Sequence, residues 1–191
     1  MGRYETRAVT DKTYKEIINA ARNGYTHKGI THRPNRQLST ILVLEANLGC
    51  RIGDIINLTT DSIIKDGDFW KLNIIEEKTE KKRSFIVPKE LKAFIDQYTY
   101  DKSIYRGKLF TITKQAVWKQ LRYITEYLGL PETSTHSLRK YRANVLYEQT
   151  NHDIELVCTF LQHADIKTTR RYLKRTDAQL EKAISQSVTL A

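Results

Sequence analysis

The stretch RQLSTILVLEANLG (36–49) is nearly all apolar through its middle and ends on a glycine. A helix that is apolar around most of its circumference is stable only when other elements cover it on several sides. Gly49 supplies the residue type that most readily takes the left-handed conformation that ends helices. The chain must therefore wrap further structure around this segment. At 191 residues it is long enough to do so in one well-buried core.

The flanking sequence reads as elements suited to that task. DKTYKEIINAARN (11–23) has Asp11 as a helix cap and Tyr14, Ile17, Ile18 and Ala21 at helical spacing. GYTHKGITHRPN reads as a basic loop, and RIGDIINL as a short helix with Ile52, Ile55 and Ile56 inward. The texture then changes. Residues 62–88 place two turn signals, KDGD and KTEKK, between runs rich in Ile, Val, Phe and Trp, which predicts three antiparallel strands ended by Pro88. Helical patterns resume with KELKAFIDQY (89–98) and KQAVWKQLRYITEYLG (114–129), then SLRKYRANVLYEQ, DIELVCTFLQHA, KTTRRYLK and a closing TDAQLEKAISQSV. The expected fold class is α+β and mostly α-helical, a single domain over 1–191 with one small three-stranded antiparallel sheet in its early part.

Composition narrows the partners. The chain has 32 Lys and Arg against 22 Asp and Glu, a formal net charge of +10, with the basic residues spread along it. A folded positive surface of this kind most commonly meets nucleic acid. Cys50 and Cys158 are the two cysteines and lack paired spacing, so neither a disulfide framework nor a zinc cluster is indicated, and a cytoplasmic setting is expected. No apolar run approaches the roughly 18 residues of a membrane span, so no membrane partner is expected. MGRYET fits a myristoylation pattern and Asn57-Leu58-Thr59 a glycosylation pattern, both short enough to arise by chance.

Several residues could carry phosphate chemistry. Arg51 begins a helix after Gly49-Cys50, and Arg139 follows His136 at i, i+3, on one helical face. Two guanidiniums converging on a phosphodiester would hold it and offset the charge that builds in the transition state. Taken singly, each arginine is more commonly an exposed charge or a partner for an acid such as Asp54, and His136 more commonly a cap or surface histidine. Lys78, at the tip of EEKTEKKR, offers a flexible ammonium able to protonate a leaving alkoxide, or is one solvated turn lysine among several. Tyr172 stands behind Thr168, Thr169, Arg170 and Arg171, where a phenol loses its proton more easily and can attack phosphorus, although core packing is the ordinary role for a tyrosine. His163 ends an apolar helix and could satisfy a carbonyl or bond a phosphoryl oxygen. The acids are scattered among lysines, and His27, His32 and His152 have no ligand spacing, so no metal or other cofactor is expected.

In this order and spacing the residues resemble the catalytic domain of the tyrosine recombinases, the phage integrase family. LGCRIGDIINL is similar to the motif of its first arginine, with Asp54 as the acid that follows Arg51; HSLR to its His-x-x-Arg box; LQHADIKTT and RRYL to its late histidine and nucleophile; and Lys78 to its mobile lysine. The likeness runs from about residue 9 to about 175, leaving 176–191 as a C-terminal helix or tail that the family often exchanges between protomers. Two departures stand out. Gln162 replaces the family's common glycine, where a larger residue would shift His163, and the N-terminal DNA-clamping domain of integrases has no counterpart here, so the chain is either part of a longer protein or a minimal relative.

The resemblance implies a metal- and ATP-independent DNA strand exchange on double-stranded DNA, by a tetramer assembled on that DNA in the cytoplasm, at the nucleoid. Arg51, Arg139 and His163 would hold the scissile phosphate and His136 would assist proton transfer from Tyr172. Tyr172 would form a 3′-phosphotyrosyl link, and Lys78 would protonate the leaving 5′-hydroxyl. The competing readings are a type IB topoisomerase, which relaxes supercoils, a DNA-binding module without chemistry, and a metal-free ribonuclease.

Overall fold

Residues 8–173 are described by the structure, a computed structural model. The chain forms two compact units, Met1–Arg142 and Ala143–Ala191. The predicted C-terminal helix, TDAQLEKAISQSV, lies outside the described residues.

In the first unit, α1 (Asp11–Asn23) starts one residue earlier than its capping Asp suggested. Thr10 is the cap, its hydroxyl accepting from the Thr13 N–H at 3.2 Å, while Asp11 in the first turn accepts from the Tyr141 hydroxyl at 2.8 Å. α2 (Arg36–Leu48) is the central helix that its sequence requires. Leu38, Ile41, Leu42, Leu44, Ala46 and Leu48 are all buried, and Gly49 ends the helix at φ 57°. The short α3 (Ile52–Ile56) follows directly.

The segment read as a basic loop between α1 and α2 is instead a hairpin, β1 (Tyr25–His27) paired antiparallel with β2 (Ile30–His32). Its two-residue turn, Lys28 and Gly29, has φ of 49° and 76°. Positive values at both central positions give the turn whose twist matches the flanking strands, so Lys-Gly here is a hairpin signal that loop composition masks.

The three predicted strands form as expected: β3 (Ile63–Asp66), β4 (Phe69–Ile75) and β5 (Lys82–Val87), in that antiparallel order. Ile63 faces Leu72, and Leu72 faces Phe85, which sets one face of the sheet against the core. α4 (Lys89–Asp101) and α5 (Lys114–Tyr127) complete the packing around α2. α6 (Thr135–Gln149) carries the chain out of the first unit.

The second unit holds the end of α6, α7 (Ile154–Leu161) and α8 (Ile166–Tyr172) around a small core of Ala143, Val157, Leu161 and Leu173. α7 stops earlier than its apolar pattern predicted because Gln162 turns left-handed, φ 52°. That is a conformation in which glycine is favoured over residues bearing a Cβ, the physical reason for a glycine at such a place. No helix among the described residues is long and apolar enough to cross a membrane.

Candidate active site

Arg51 is presented by the join between α2 and α3. Its backbone is extended, and its N–H donates to Asp54 Oδ2 at 3.2 Å, so the acid three residues on caps α3 and fixes the arginine at its first turn. The guanidinium then reaches across to the sheet, where Arg51 Nη1 donates to Glu76 Oε2 at 2.6 Å. Glu76 is fully buried. The same oxygen accepts from the Thr79 hydroxyl at 2.7 Å, and Oε1 accepts from Arg83 Nη1 at 3.1 Å. Burial alone would raise the Glu76 carboxyl, but the hydrogen bonds from Thr79 and Arg51 and the charges of Arg51 and Arg83 outweigh it and hold its pKa below the ordinary value.

Arg83 is itself buried. Its Nη2 donates to the carbonyls of Leu48 at 3.3 Å and Gly49 at 3.5 Å, the acceptors left over at the C-terminal end of α2. One carboxylate thus joins the end of α2, the start of α3 and both strands of the β4–β5 hairpin.

Lys78 sits in the loop between β4 and β5 with its side chain in solvent. The loop is less free than a solvated turn of lysines suggests. The Glu77 N–H donates to Asp54 Oδ1 at 2.9 Å, and Lys114 Nζ pairs with Glu77 Oε1 at 2.6 Å. A Cβ at Gly53 would lie 2.2 Å from Glu77 Oε2, so a larger residue there would push the Glu77 side chain aside. Asp54 therefore serves two elements at once, α3 and the Lys78 loop.

His136 and Arg139 lie in the first turns of α6, which opens with the Ser134 N–H donating to the Ser137 hydroxyl at 3.1 Å. Arg139 is 1% exposed, whereas His136 keeps access to solvent. The His136 pKa is held below its ordinary value first by partial burial and then by the positive charges of Arg139, Lys140, Arg51 and Lys78. All four candidate residues of the first unit therefore share one electrostatic neighbourhood. On α2, Glu45 is completely buried and its two carboxyl oxygens have no hydrogen-bond partner among the described residues. Burial pushes its pKa well above the carboxylate range, and the Arg139 charge pulls it only partly back.

In the second unit His163 and Tyr172 face one another. Their ring centroids are 4.7 Å apart at an interplanar angle of 71°. His163 Nδ1 lies 3.0 Å from the Thr169 hydroxyl, which fixes the ring from the side of α8, and Thr169 is fully buried. The Tyr172 carbonyl accepts from Asn144 Nδ2 at 3.4 Å, and α8 is capped by Asp165, which accepts from the Thr168 N–H at 2.8 Å. A phenol edge-on to an imidazole that the Thr169 hydroxyl holds is an arrangement in which one ring can orient the other.

Glu76, Arg83 and Glu45 escape a reading of the sequence by local composition. For Glu76 and Arg83 a signal exists. Leu72, Ile74 and Glu76 continue one alternation along β4, and Arg83, Phe85 and Val87 another along β5, so both charged residues fall on the inward face.

Comparison with known proteins identifies the family and the fold. The model of the phage integrase family matches residues 7–179. The chain is 29% identical over 147 residues to the probable integrase/recombinase YoeC of Bacillus subtilis, a match covering 73% of this chain and 78% of that protein. It is 27% identical to the tyrosine recombinase XerA of Pyrococcus horikoshii, over 95% of this chain but 61% of that one. Among solved structures, the catalytic domain of bacteriophage HP1 integrase superposes with a TM-score of 0.64 at 19% identity, over 96% of each chain. The XerH recombinase in a post-cleavage complex with its difH substrate superposes at 0.70 and 19% identity, covering 95% of this chain and 53% of that one. The chain belongs to the phage integrase family, and its fold is that of a tyrosine recombinase catalytic domain.

Proposed function

We propose that this chain cleaves and rejoins double-stranded DNA at specific sites through a 3′-phosphotyrosyl intermediate on Tyr172. The observation that carries the reading is the set of cations around His136: Arg51, Lys78, Arg139 and Lys140 all act on this one imidazole. Like charges that share one neighbourhood repel, and such a grouping is explained when an anion is to bind there.

Arg51 and Arg139 hold the non-bridging oxygens of the scissile phosphate, joined by His163. The Tyr172 oxygen attacks phosphorus and the bond from phosphorus to the 5′-oxygen breaks. The phenolic proton passes to His136, which its surroundings keep neutral and therefore able to accept it, and Lys78 gives a proton to the departing 5′-oxygen. One phosphodiester replaces another, so a 5′-hydroxyl from a partner strand reverses the step without ATP or a metal ion. Exchange between two duplexes calls for one such protomer at each strand, hence a tetramer on DNA, working at the nucleoid.

The test is covalent capture. The protein is incubated with a pool of nicked duplexes of randomised sequence, denatured, and its peptides are read by mass spectrometry. A DNA adduct on the peptide holding Tyr172, absent from Tyr172→Phe although that variant still binds duplex, is the expected result. An adduct retained by the Phe variant would overturn the assignment, and no adduct from any sequence would leave a binding module. Relaxation of any supercoiled plasmid without site preference would favour the topoisomerase reading.

A further inference from the structure

The β1–β2 hairpin contributes little to the core, yet it is held firmly. A two-stranded ribbon alone is marginal in water. Here Tyr25 stacks on His32 at 4.5 Å and on Tyr127 of α5 at 4.7 Å, His27 meets Tyr127 edge-on at 5.8 Å, and His32 lies 5.6 Å from Tyr123. At the base, Gly24 has φ 77°, and a Cβ there would lie 2.4 Å from the His32 carbonyl oxygen, so the strands close tightly. The far end projects. Ile30 is 62% exposed, Lys28 is exposed, and space around Gly29 is open. From Gly24 to Arg36 the segment has Lys28, Arg33 and Arg36 with two histidines and no carboxylate.

α5 sets the distance from this finger to the candidate active site. At its start Lys114 pairs with Glu77, beside Lys78, and near its end Tyr123 and Tyr127 seat the hairpin. Its 14 residues span about 20 Å at 1.5 Å per residue. At 3.6 residues per turn, Lys114 lies on the side of α5 that holds buried Leu121 and Thr125, and the two tyrosines lie about 180° and 220° round from it, on the exposed side. The Lys78 loop and the hairpin therefore meet α5 at its two ends, about 20 Å apart along its axis.

We propose that the hairpin is a second DNA-contacting element, in which Lys28 and Arg33 grip the phosphate backbone about 20 Å, roughly six base pairs at 3.4 Å each, from the phosphate under attack. The contact is electrostatic and independent of sequence, and it sets where the duplex lies rather than which bases are read. A stiff mount matters for this role, because a flexible loop of the same charge would bind without fixing position. The inference rests on the DNA-cleaving reading above, but binding can be measured without cleavage.

The experiment compares two double charge reversals in the full chain, Lys28→Glu with Arg33→Glu and, at exposed sites on β3 and after α4, Lys65→Glu with Lys102→Glu. Both change net charge equally. Binding to a fluorescent 30-bp duplex of arbitrary sequence is followed across a salt series, and thermal unfolding checks that each variant folds. The hairpin pair is expected to lose about tenfold in affinity relative to the control pair, and the slope of log affinity against log salt to fall by about 2, as for two lost phosphate contacts. Equal affinity and slope in the two pairs would overturn the proposal, whether or not wild-type protein forms the tyrosyl adduct. Absence of the adduct with the hairpin effect intact would instead overturn the catalytic reading alone. Should the hairpin pair melt early, Lys28→Gln with Arg33→Gln, which leaves the aromatic mount untouched, must show the same slope change in smaller measure.

Discussion

The first unit grips its candidate residues with far more structure than the second. Arg51 and Arg139 rest on a core centred on α2, with Glu76, Arg83 and Asp54 tying the cation cluster to three elements. His163 and Tyr172 stand on two short helices over four buried apolar residues. The contrast matches the work proposed for each. Holding a phosphate calls for charges fixed in advance, since reorganisation during reaction would cost part of their effect. A nucleophile that is joined to DNA and then released gains from a support that yields more readily.

The largest test of this contrast is Glu76→Ala, which leaves two guanidiniums without their shared carboxylate. Loss of one partner from a buried ion pair typically costs about 3–5 kcal/mol. The melting temperature should fall steeply, with DNA-adduct formation lost alongside. An unchanged melt would show that the brace contributes nothing to the first unit. Arg139→Ala should keep duplex binding within an order of magnitude yet slow adduct formation by about 100- to 1000-fold, measured in single turnover. Near-normal rates would remove Arg139 from the site.

Leu161→Ala probes the other side. Truncating a buried leucine costs at least about 2 kcal/mol, and in so small a core the loss should stay local. Hydrogen exchange should quicken in α7 and α8 while α2 keeps its protection. If α2 loosens equally, the two units open as one and the contrast fails. Thr169→Val removes the hydroxyl that holds His163 Nδ1 and should slow adduct formation several-fold, as expected for about 1 kcal/mol of lost hydrogen bonding. A rate equal to wild type would make that contact incidental.

The smallest effect concerns pH. With neutral His136 as the proposed base, the adduct rate should climb as pH rises through the lowered pKa of His136 and level off above it. Lys140→Met removes one of the positive charges that depress this pKa and should move the break toward higher pH. A break that stays in place or moves lower would show that another group is being titrated.

Much of the framework is legible in the chain because its causes are local. An apolar run with Gly49 behind it can only be a buried helix, and Pro88 with two turn signals bounds three strands. His136 and Arg139 share a helical face by spacing alone. The β1–β2 hairpin was hidden because its turn is Lys-Gly rather than a commoner pair and because much of its anchorage, Tyr123 and Tyr127, lies some hundred residues away.

By itself, then, the sequence determined the helices, the small sheet, the surplus of positive charge and the residue types able to handle phosphate. Only the tertiary structure decided that Glu76 and Arg83 are buried and bind Arg51, that Asp54 also holds the Lys78 loop, and that four cations depress the His136 pKa. The reason is physical. Helix and strand preferences follow from neighbours along the chain, whereas the state of a charge depends on what lies within a few ångströms in space, and α2, α3, the sheet and α6 meet there only after folding.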